Sequence, residues 1–289
     1  MLHKFSISIF LLFSLISSAF AQEKQAILIV SFGTSMPEAR KAINNLFEST
    51  RENFKGYEIR LSFTSNIIRK KILREQNINI PTPVQALADL NNEGFKNVYV
   101  MPTHLIPGEE FDEIKNVVSA FKILTGKYGF NKLILGRPFL NNYEDCERMA
   151  KILASRFAEY INDNNTGIIL MGHGTPEHVA NALYSLLQFA LDKNYKNKFF
   201  LGTVEAAPKI EDVILKLKAN PEIKNLIISP LMIVAGDHAN NDLAGEDDPE
   251  SWLNILKSNG YENITKYLKG LGEDENFTKD FIKRINEMF

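Results

Sequence analysis

Two histidines and one glutamate in the second half of the chain are the side chains best suited to bind a transition metal. His173, Glu205 and His238 each come after a different apolar, strand-like run. The carboxyl ends of parallel strands lie along one edge of a sheet, so we expect these side chains to converge there. Two imidazoles and a carboxylate leave coordination positions open for a substrate. The pattern therefore predicts a divalent metal site, with Asp237 and Asn240 as outer partners of the ligands.

Two of these residues also have a structural alternative. Small residues flank His173, and Thr175 and Pro176 can begin a helix, so this segment could be a capped strand-to-helix turn with an incidental histidine. Glu205 could instead place its charge at the N-terminus of the next helix. The occurrence of all three residues after different strands favours the metal site.

The elements that must position these side chains alternate between β-rich apolar runs and amphipathic helices. The predicted strands are 26–30, 58–63, 98–101, 133–135, 168–171, 199–201 and 226–228. The predicted helices are 35–50, 84–92, 111–124, 143–160, 178–191 and 210–217. This alternation predicts an α/β fold with parallel sheets flanked by helices.

The two halves of the chain repeat one pattern. Segment 29–34 (IVSFGT) is similar to 170–175 (LMGHGT), and the order of residues over 96–110 is similar to that over 224–238. We therefore predict two similar Rossmann-like halves, 22–140 and 141–289, with a cleft between them and the metal site in the second. The C-terminal helix of the chain could pack on the first half.

The first copy of the repeat lacks the metal-binding residues. Phe32 stands where the second copy has His173, Ser65 is close to the place of Glu205, and Glu110 stands at that of His238. The first half therefore cannot hold the same metal. We expect it to form the opposite wall of the cleft.

Composition and missing motifs exclude several other functions. The 289 residues carry a net charge of −2, without the basic excess of a nucleic-acid-binding protein. One cysteine, Cys146, excludes an internal disulfide and a cysteine-rich metal site. The chain has no G-x-x-x-x-G-K-[ST] loop, no G-x-G-x-x-G after its first strand and no G-x-S-x-G. Nucleotide-driven, dinucleotide-dependent and α/β-hydrolase chemistry are therefore not indicated.

Residues 1–21 have the pattern of a secretory signal peptide. His3 and Lys4 precede an apolar run of 16 residues, 5–20, which ends in the sequence Ala19-Phe20-Ala21. The run is short for a membrane span, and the last three residues match an A-x-A cleavage site. We predict removal of this segment, export of the protein, most simply to a periplasm, and no membrane span in the mature chain.

Four blocks of the chain closely resemble the anaerobic cobalt chelatases. These enzymes are the sirohydrochlorin cobaltochelatases of the class II chelatase group, whose fold ferrochelatase shares. The blocks occur in the family's order, and the last is the most specific: 29–35 (IVSFGTS), 171–175 (MGHGT), 202–205 (GTVE) and 234–242 (VAGDHANND). The resemblance covers the chain from about Ala26 to its C-terminus.

The resemblance implies two Rossmann-like halves with a tetrapyrrole cleft between them. It also implies that His173, Glu205 and His238 bind the incoming Co²⁺ and insert it into a sirohydrochlorin-type tetrapyrrole without nucleotide, in cobalamin or related tetrapyrrole metabolism. All three ligand positions are present. The signal peptide departs from the usual cytoplasmic enzyme and leaves the physiological substrate and metal open.

A fourth histidine, His104, follows a predicted strand of the first half. In a tetrapyrrole-binding protein it could contact the macrocycle or ligate a haem iron, and its alternative is a hydrogen-bonded loop position. His178 lies in the first turn of a predicted helix near His173 and is a weaker candidate for contact with the metal site.

Two alternatives to a cobalt chelatase stay open on the sequence. A His/His/Glu set does not discriminate sharply among Co²⁺, Fe²⁺ and Ni²⁺, so insertion of iron or nickel is the nearest variant. A protein of another class, an exported haem or metal carrier with the same cleft, would bind without turnover. Assembly of several copies of the chain also stays open.

Overall fold

A computed structural model describes residues 23–289 of the chain. The predicted signal segment lies outside this range. The strands are β1 (Gln25–Ser31), β2 (Glu58–Phe63), β3 (Asn97–Pro102), β4 (Lys132–Leu135), β5 (Thr166–Gly172), β6 (Phe199–Thr203), β7 (Asn225–Pro230) and β8 (Asn263–Lys266). The α-helices are α1 (Pro37–Asn53), α2 (Asn66–Gln76), α3 (Pro83–Asn92), α4 (Glu109–Ile123), α5 (Tyr143–Arg156), α6 (Ala182–Asn194), α7 (Ile210–Lys218), α8 (Trp252–Ser258) and α9 (Glu275–Asn286). Among them no helix is both long and apolar enough to span a bilayer.

The strands form two four-stranded parallel sheets of identical topology. Their orders are β2-β1-β3-β4 and β6-β5-β7-β8, and every neighbouring pair is parallel. The central strand β5 is buried along its whole length, and β1 is buried at every position after Gln25. Strands buried on both faces need helices on both sides, so the apolar runs and the amphipathic helices require each other. The predicted fold class of two similar α/β halves is confirmed.

The two sheets repeat each other residue by residue. Val30 of β1 pairs with Pro102 of β3, as Met171 of β5 pairs with Pro230 of β7.

The contacts between the halves are reciprocal as well. A methyl group placed on Gly236 would lie 3.6 Å from Oγ1 of Thr34, and one placed on Gly108 would lie 3.0 Å from Cγ2 of Thr175. The glycines are equivalent in the repeat, and so are the threonines. The halves therefore face each other with an approximate two-fold relation.

Two of the elements that the sequence did not predict have almost no buried residues. Helix α2 buries only Ile72, and β8 is an edge strand with no buried residue. Helices α8 and α9 lie beyond the last element whose limits were predicted, and α9 buries an apolar stripe of Phe277, Phe281 and Ile285. The helix predicted over 178–191 begins at Ala182, after a 3₁₀ turn over Val179–Asn181.

Helix α9 packs against the first half of the chain. Nδ2 of Asn45 on α1 donates to Oγ1 of Thr278 at 3.1 Å. Phe289, just beyond α9, stacks on Tyr57 with ring centroids 4.9 Å apart and meets Tyr99 edge to face at 4.6 Å. The C-terminal segment therefore covers part of the first sheet.

A buried ion pair connects α9 to the first turn of α5. Arg284 donates to Asp145 at 3.0 Å and to Asp280 at 2.7 Å, and its remaining N–H groups reach the carbonyl oxygens of Pro138 and Phe139. The side chains of Asp145 and Arg284 are 1% and 5% exposed. Such a pair is costly to break because the remaining charge stays buried.

Replacing Asp145 by Asn should destabilise the protein by about 3–5 kcal/mol, since the buried Arg284 guanidinium loses one of its two carboxylate partners and Arg137 and Arg148 lose theirs at this position. Denaturant unfolding of the wild type and the variant measures this loss. The exposed pair of Glu38 and Lys41 supplies the control, and Glu38→Gln should change stability by less than about 1 kcal/mol. Equal effects of the two substitutions would contradict the role given to Asp145.

Candidate metal centre

His173 lies in the first residue position after β5, where the chain turns out of the sheet. The next residue, Gly174, has φ +84°, a left-handed conformation that favours glycine. Gly172 leaves room for the buried ring of Tyr184, since a Cβ there would lie 2.5 Å from Cε1 of that ring. The glycines on either side of His173 are therefore required by the turn and by packing.

Glu205 is held beside His173 by backbone hydrogen bonds that continue the β5–β6 pairing. The N–H of Val204 donates to the carbonyl of Gly172 at 3.1 Å, and that of Glu205 donates to the carbonyl of His173 at 2.9 Å. Oε2 of Glu205 lies 3.6 Å from Nδ1 of the His173 ring. The carboxylate is thus on the Nδ1 side of the imidazole.

His238 follows β7 and a short loop, and it begins one turn of π-helix over Ala239–Leu243. Nδ2 of Asn240 caps this turn by donating to the carbonyl of Gly236 at 2.7 Å. The turn places Asp242 four residues after His238, and its Oδ2 lies 2.6 Å from Nδ1 of the imidazole. Single π-helical turns occur frequently at functional sites.

The two imidazoles face each other through their Nε2 atoms, which are 3.2 Å apart. The rings are nearly perpendicular, at 82°, with centroids 4.7 Å apart. Nδ1 of His173 lies 2.8 Å from the carbonyl oxygen of Gly174, and Nδ1 of His238 lies against the Asp242 carboxylate. Both partners can only accept, so each Nδ1 carries the hydrogen and each Nε2 presents a lone pair.

Two facing lone pairs at this distance repel each other, and a cation bound by both of them removes that repulsion. Two nitrogens that are each about 2.1 Å from one metal ion, at an angle of about 90–110°, are about 3.0–3.4 Å apart. The separation of the two Nε2 atoms falls in this range. The pair is therefore preorganised to share a cation.

Glu205 does not complete a three-ligand cluster as its side chain stands. Over residues 23–289, no three His, Cys, Asp or Glu side chains converge in a way that could hold a metal ion. The Glu205 side chain is 38% exposed, so its rotation towards the Nε2 side is not hindered by burial. The structure brings His173 and His238 together with Glu205 adjacent, and the ligand role of the three stays a prediction.

The outer partners of the histidines differ from those expected. Asp237 accepts from the side chain of Asn241, and Asn240 bonds the backbone, so neither was correctly predicted as a partner of a ligand. Asp242 takes that place. The i,i+4 spacing of His238 and Asp242 would have indicated this contact, but the sequence did not predict a helical turn there.

His104 and His178 each lie against an acid of helix α4. Nε2 of His104 is 3.4 Å from Oε2 of Glu110, and Nε2 of His178 is 3.4 Å from Oδ2 of Asp112. His178 also accepts from the N–H of Ala180 and so caps a 3₁₀ turn. The contacts of His178 thus connect the two halves and do not include the His173–His238 pair.

The first half reproduces the backbone of this centre without its ligands. The N–H of Ser65 donates to the carbonyl of Phe32 at 3.3 Å, as that of Glu205 does to His173. Phe32 is 42% exposed, an unusual exposure for a large apolar residue after a buried strand. The wall opposite the histidines therefore carries an exposed ring at the position equivalent to His173.

Comparison with known proteins agrees with this architecture. The family model described as cobalt chelatase (CbiK) matches residues 25–289. The sirohydrochlorin cobaltochelatase of Salmonella typhimurium is 29% identical over 265 residues, which cover 91% of this chain and 96% of that protein. The chain belongs to the cobalt chelatase (CbiK) family.

Two further relatives place this cobalt chelatase family member among proteins of the same fold. Sirohydrochlorin cobaltochelatase CbiKC of Nitratidesulfovibrio vulgaris is 30% identical over 262 residues, covering 91% of this chain and 89% of that protein. The structure of SirB from Bacillus subtilis with Fe³⁺ has a TM-score of 0.60 at 17% identity, covering 92% of this chain and 95% of SirB. At this identity the structural similarity concerns the fold.

Replacing Asp242 by Ala should weaken Co²⁺ binding about 10- to 100-fold, because the imidazole of His238 loses the acceptor that fixes its orientation and tautomer. Calorimetric titration with Co²⁺ measures the change. Asp247→Ala removes the same charge from an exposed position of the same loop and should leave the affinity within about twofold, as expected for a screened surface charge. Equal losses in both variants would assign the effect to net charge instead.

Proposed function

We propose that this protein is a metal chelatase that inserts Co²⁺ into a sirohydrochlorin-type tetrapyrrole without nucleotide. The observation that carries the proposal is the facing pair of Nε2 lone pairs, 3.2 Å apart, on His173 and His238. Membership of the cobalt chelatase family and the names of the two curated relatives support cobalt and sirohydrochlorin.

The proposed reaction begins with Co²⁺ bound by the two imidazoles. Hydrogen bonds from their Nδ1 atoms to Gly174 and Asp242 fix both rings and increase the basicity of Nε2. Glu205 contributes negative charge beside the pair, which lowers the cost of removing water from a dication. The imidazoles are 33% and 39% exposed, so a planar ligand can approach the ion from the cleft.

Insertion exchanges one dication for two protons. Each pyrrole N–H bond breaks, its proton passes to a basic side chain at the cleft, and its electron pair forms a bond to Co²⁺. The imidazole nitrogens leave the ion after the pyrrole nitrogens have replaced them. The walls of the cleft bend the macrocycle so that its nitrogen lone pairs face the metal ion. The macrocycle then flattens as it encloses the ion. No hydrolysis of a nucleotide is needed because the new nitrogen–metal bonds provide the driving force.

Two alternatives to this proposal are insertion of another metal and a carrier function without turnover. Two imidazoles and a carboxylate also suit Fe²⁺ and Ni²⁺, and SirB was solved with Fe³⁺. A haem or metal carrier would use the same cleft stoichiometrically. The family assignment favours the chelatase over the carrier.

The purified protein should convert many equivalents of sirohydrochlorin in the presence of Co²⁺, followed by absorbance, with parallel assays in Fe²⁺ and Ni²⁺. His173→Ala and His238→Ala should each reduce turnover by at least about 100-fold, because one nitrogen cannot hold the ion in place. His178→Ala is the matched control and should retain activity. A reaction that stops at one equivalent would instead support a carrier.

We also propose that residues 1–21 direct export, on the pattern of a basic start, an apolar run and an A-x-A site. When the full chain is expressed in a bacterium with a periplasm, the protein should appear in the periplasmic fraction with Gln22 near its N-terminus, as read by mass spectrometry. A chain that begins at Gln22 should stay in the cytoplasm. An uncleaved full-length cytoplasmic product would contradict export.

A further inference from the structure

We propose that His104 stores one of the two protons released during metal insertion, which it receives through Glu110. This inference rests on the proposed chelatase function and extends it to the fate of the protons. His104 acts through the carboxylate at the cleft, so it is a positioning residue for the proton transfer.

The metal side of the cleft has few groups free to accept a proton. In both His173 and His238, Nδ1 already carries a hydrogen that it donates, and Nε2 stays on the ion until the pyrrole nitrogens replace it, so neither ring is free while the N–H bonds break. Asp242 is occupied as the acceptor for His238. When Glu205 turns to the ion, it is occupied too. The released protons therefore need acceptors on the opposite wall.

The opposite wall carries Glu110 at the position that is equivalent to His238 in the repeat. Its carboxylate is 41% exposed and lies next to the buried imidazole of His104. The hydroxyl of Tyr184 is nearby, but burial, reinforced by the charge of Glu110, raises the pKa of Tyr184 to about 12 against the opposing hydrogen bond from Gly174. Tyr184 therefore keeps its own proton at neutral pH and cannot accept another, which leaves Glu110 as the accessible base.

The surroundings of His104 are unusual for a structural histidine. Its side chain is only 7% exposed, and neither ring nitrogen has a hydrogen-bond partner among the described residues. The 3.4 Å approach to Oε2 of Glu110 falls within ion-pair distance but lacks hydrogen-bond geometry. A buried polar group without a partner is destabilising, so it calls for an explanation beyond packing.

Proton storage accounts for this arrangement. A neutral imidazole has one free lone pair, and it is the side chain best suited to exchange protons near neutral pH. Once protonated, the His104 ring becomes a cation beside the Glu110 carboxylate, and the 3.4 Å contact becomes a charge-assisted one. Together the two residues can hold two protons, the number that one insertion releases.

The transfer is balanced in each step. A pyrrole N–H bond breaks, its electron pair bonds to Co²⁺, and the proton moves to a carboxylate oxygen of Glu110. That proton then passes to Nε2 of His104, which restores the carboxylate. The second pyrrole proton moves to Glu110 and remains there until product leaves and solvent enters the cleft. No oxidant, reductant or further reactant is required.

The test compares His104→Gln and His104→Ala with His178→Gln. His178 is the matched control because its imidazole also lies 3.4 Å from an acid of the same helix, α4. In both His104 variants kcat for cobalt insertion should fall about 10- to 100-fold, with KM for sirohydrochlorin and the calorimetric Co²⁺ affinity within about twofold of wild type. The control should retain wild-type kcat.

Two readouts separate proton transfer from a structural role. Added imidazole should restore at least about a tenth of wild-type kcat in folded His104→Ala and should leave His178→Gln unchanged. In His104→Gln, the ratio of rates in H₂O and D₂O should exceed the wild-type ratio, because proton removal becomes rate-limiting. This second readout decides the matter if the Ala variant fails to fold.

Several outcomes overturn the proposal. They are an unchanged kcat in His104→Gln, a lowered kcat with an unchanged isotope ratio, and an equal loss in the His178 control. These outcomes leave the chelatase function intact when wild type turns over many equivalents. If wild type does not turn over, the proposed function fails first and the role of His104 fails with it.

Discussion

Two nitrogen lone pairs held 3.2 Å apart are the constraint around which the rest of the candidate metal centre is arranged. Left alone, the facing Nε2 atoms of His173 and His238 would repel each other. The acceptors behind them prevent the rings from turning away, because a backbone carbonyl engages one Nδ1 and the Asp242 carboxylate engages the other. The fold therefore holds two lone pairs at a separation that favours binding of a cation. Selection among cations then depends on geometry and supply more than on this donor set.

The duplicated frame explains how one cleft can have two different walls. Each sheet ends its central strand in the same turn, with a glycine in the left-handed region at Gly33 and Gly174. The backbone hydrogen bonds that follow are also equivalent. The side chains differ, since Phe32 and Glu110 stand where the second half has imidazoles, and the backbone at Glu110 is α-helical where a π-turn follows His238. This asymmetry is consistent with the proposal that one half binds the cation and the other contacts the organic substrate.

Most of the fold could be predicted from the sequence because its strands are buried on both faces and therefore appear as continuous apolar runs. The central strand β5 is such a run, predicted over 168–171 and observed over Thr166–Gly172. The edge strand β8 and helix α2 have exposed residues at most positions, so no periodicity indicates them. The convergence of His173 and His238 followed from the rule that parallel strands end at one edge. The rotamer of Glu205 and the π-turn that aims Asp242 depend on tertiary contacts, and no sequence pattern specifies them.

The C-terminal helix has a consequence for how the two halves can be separated. Helix α9 follows the second sheet in the chain, yet it rests on α1, and Phe289 fills an aromatic cluster of the first sheet. An isolated first half would expose that aromatic surface to water, and an isolated second half would expose the face of α9 that contacts α1. The two halves thus depend on each other for burial of their apolar surfaces, and neither is an autonomous module that could be exchanged between proteins.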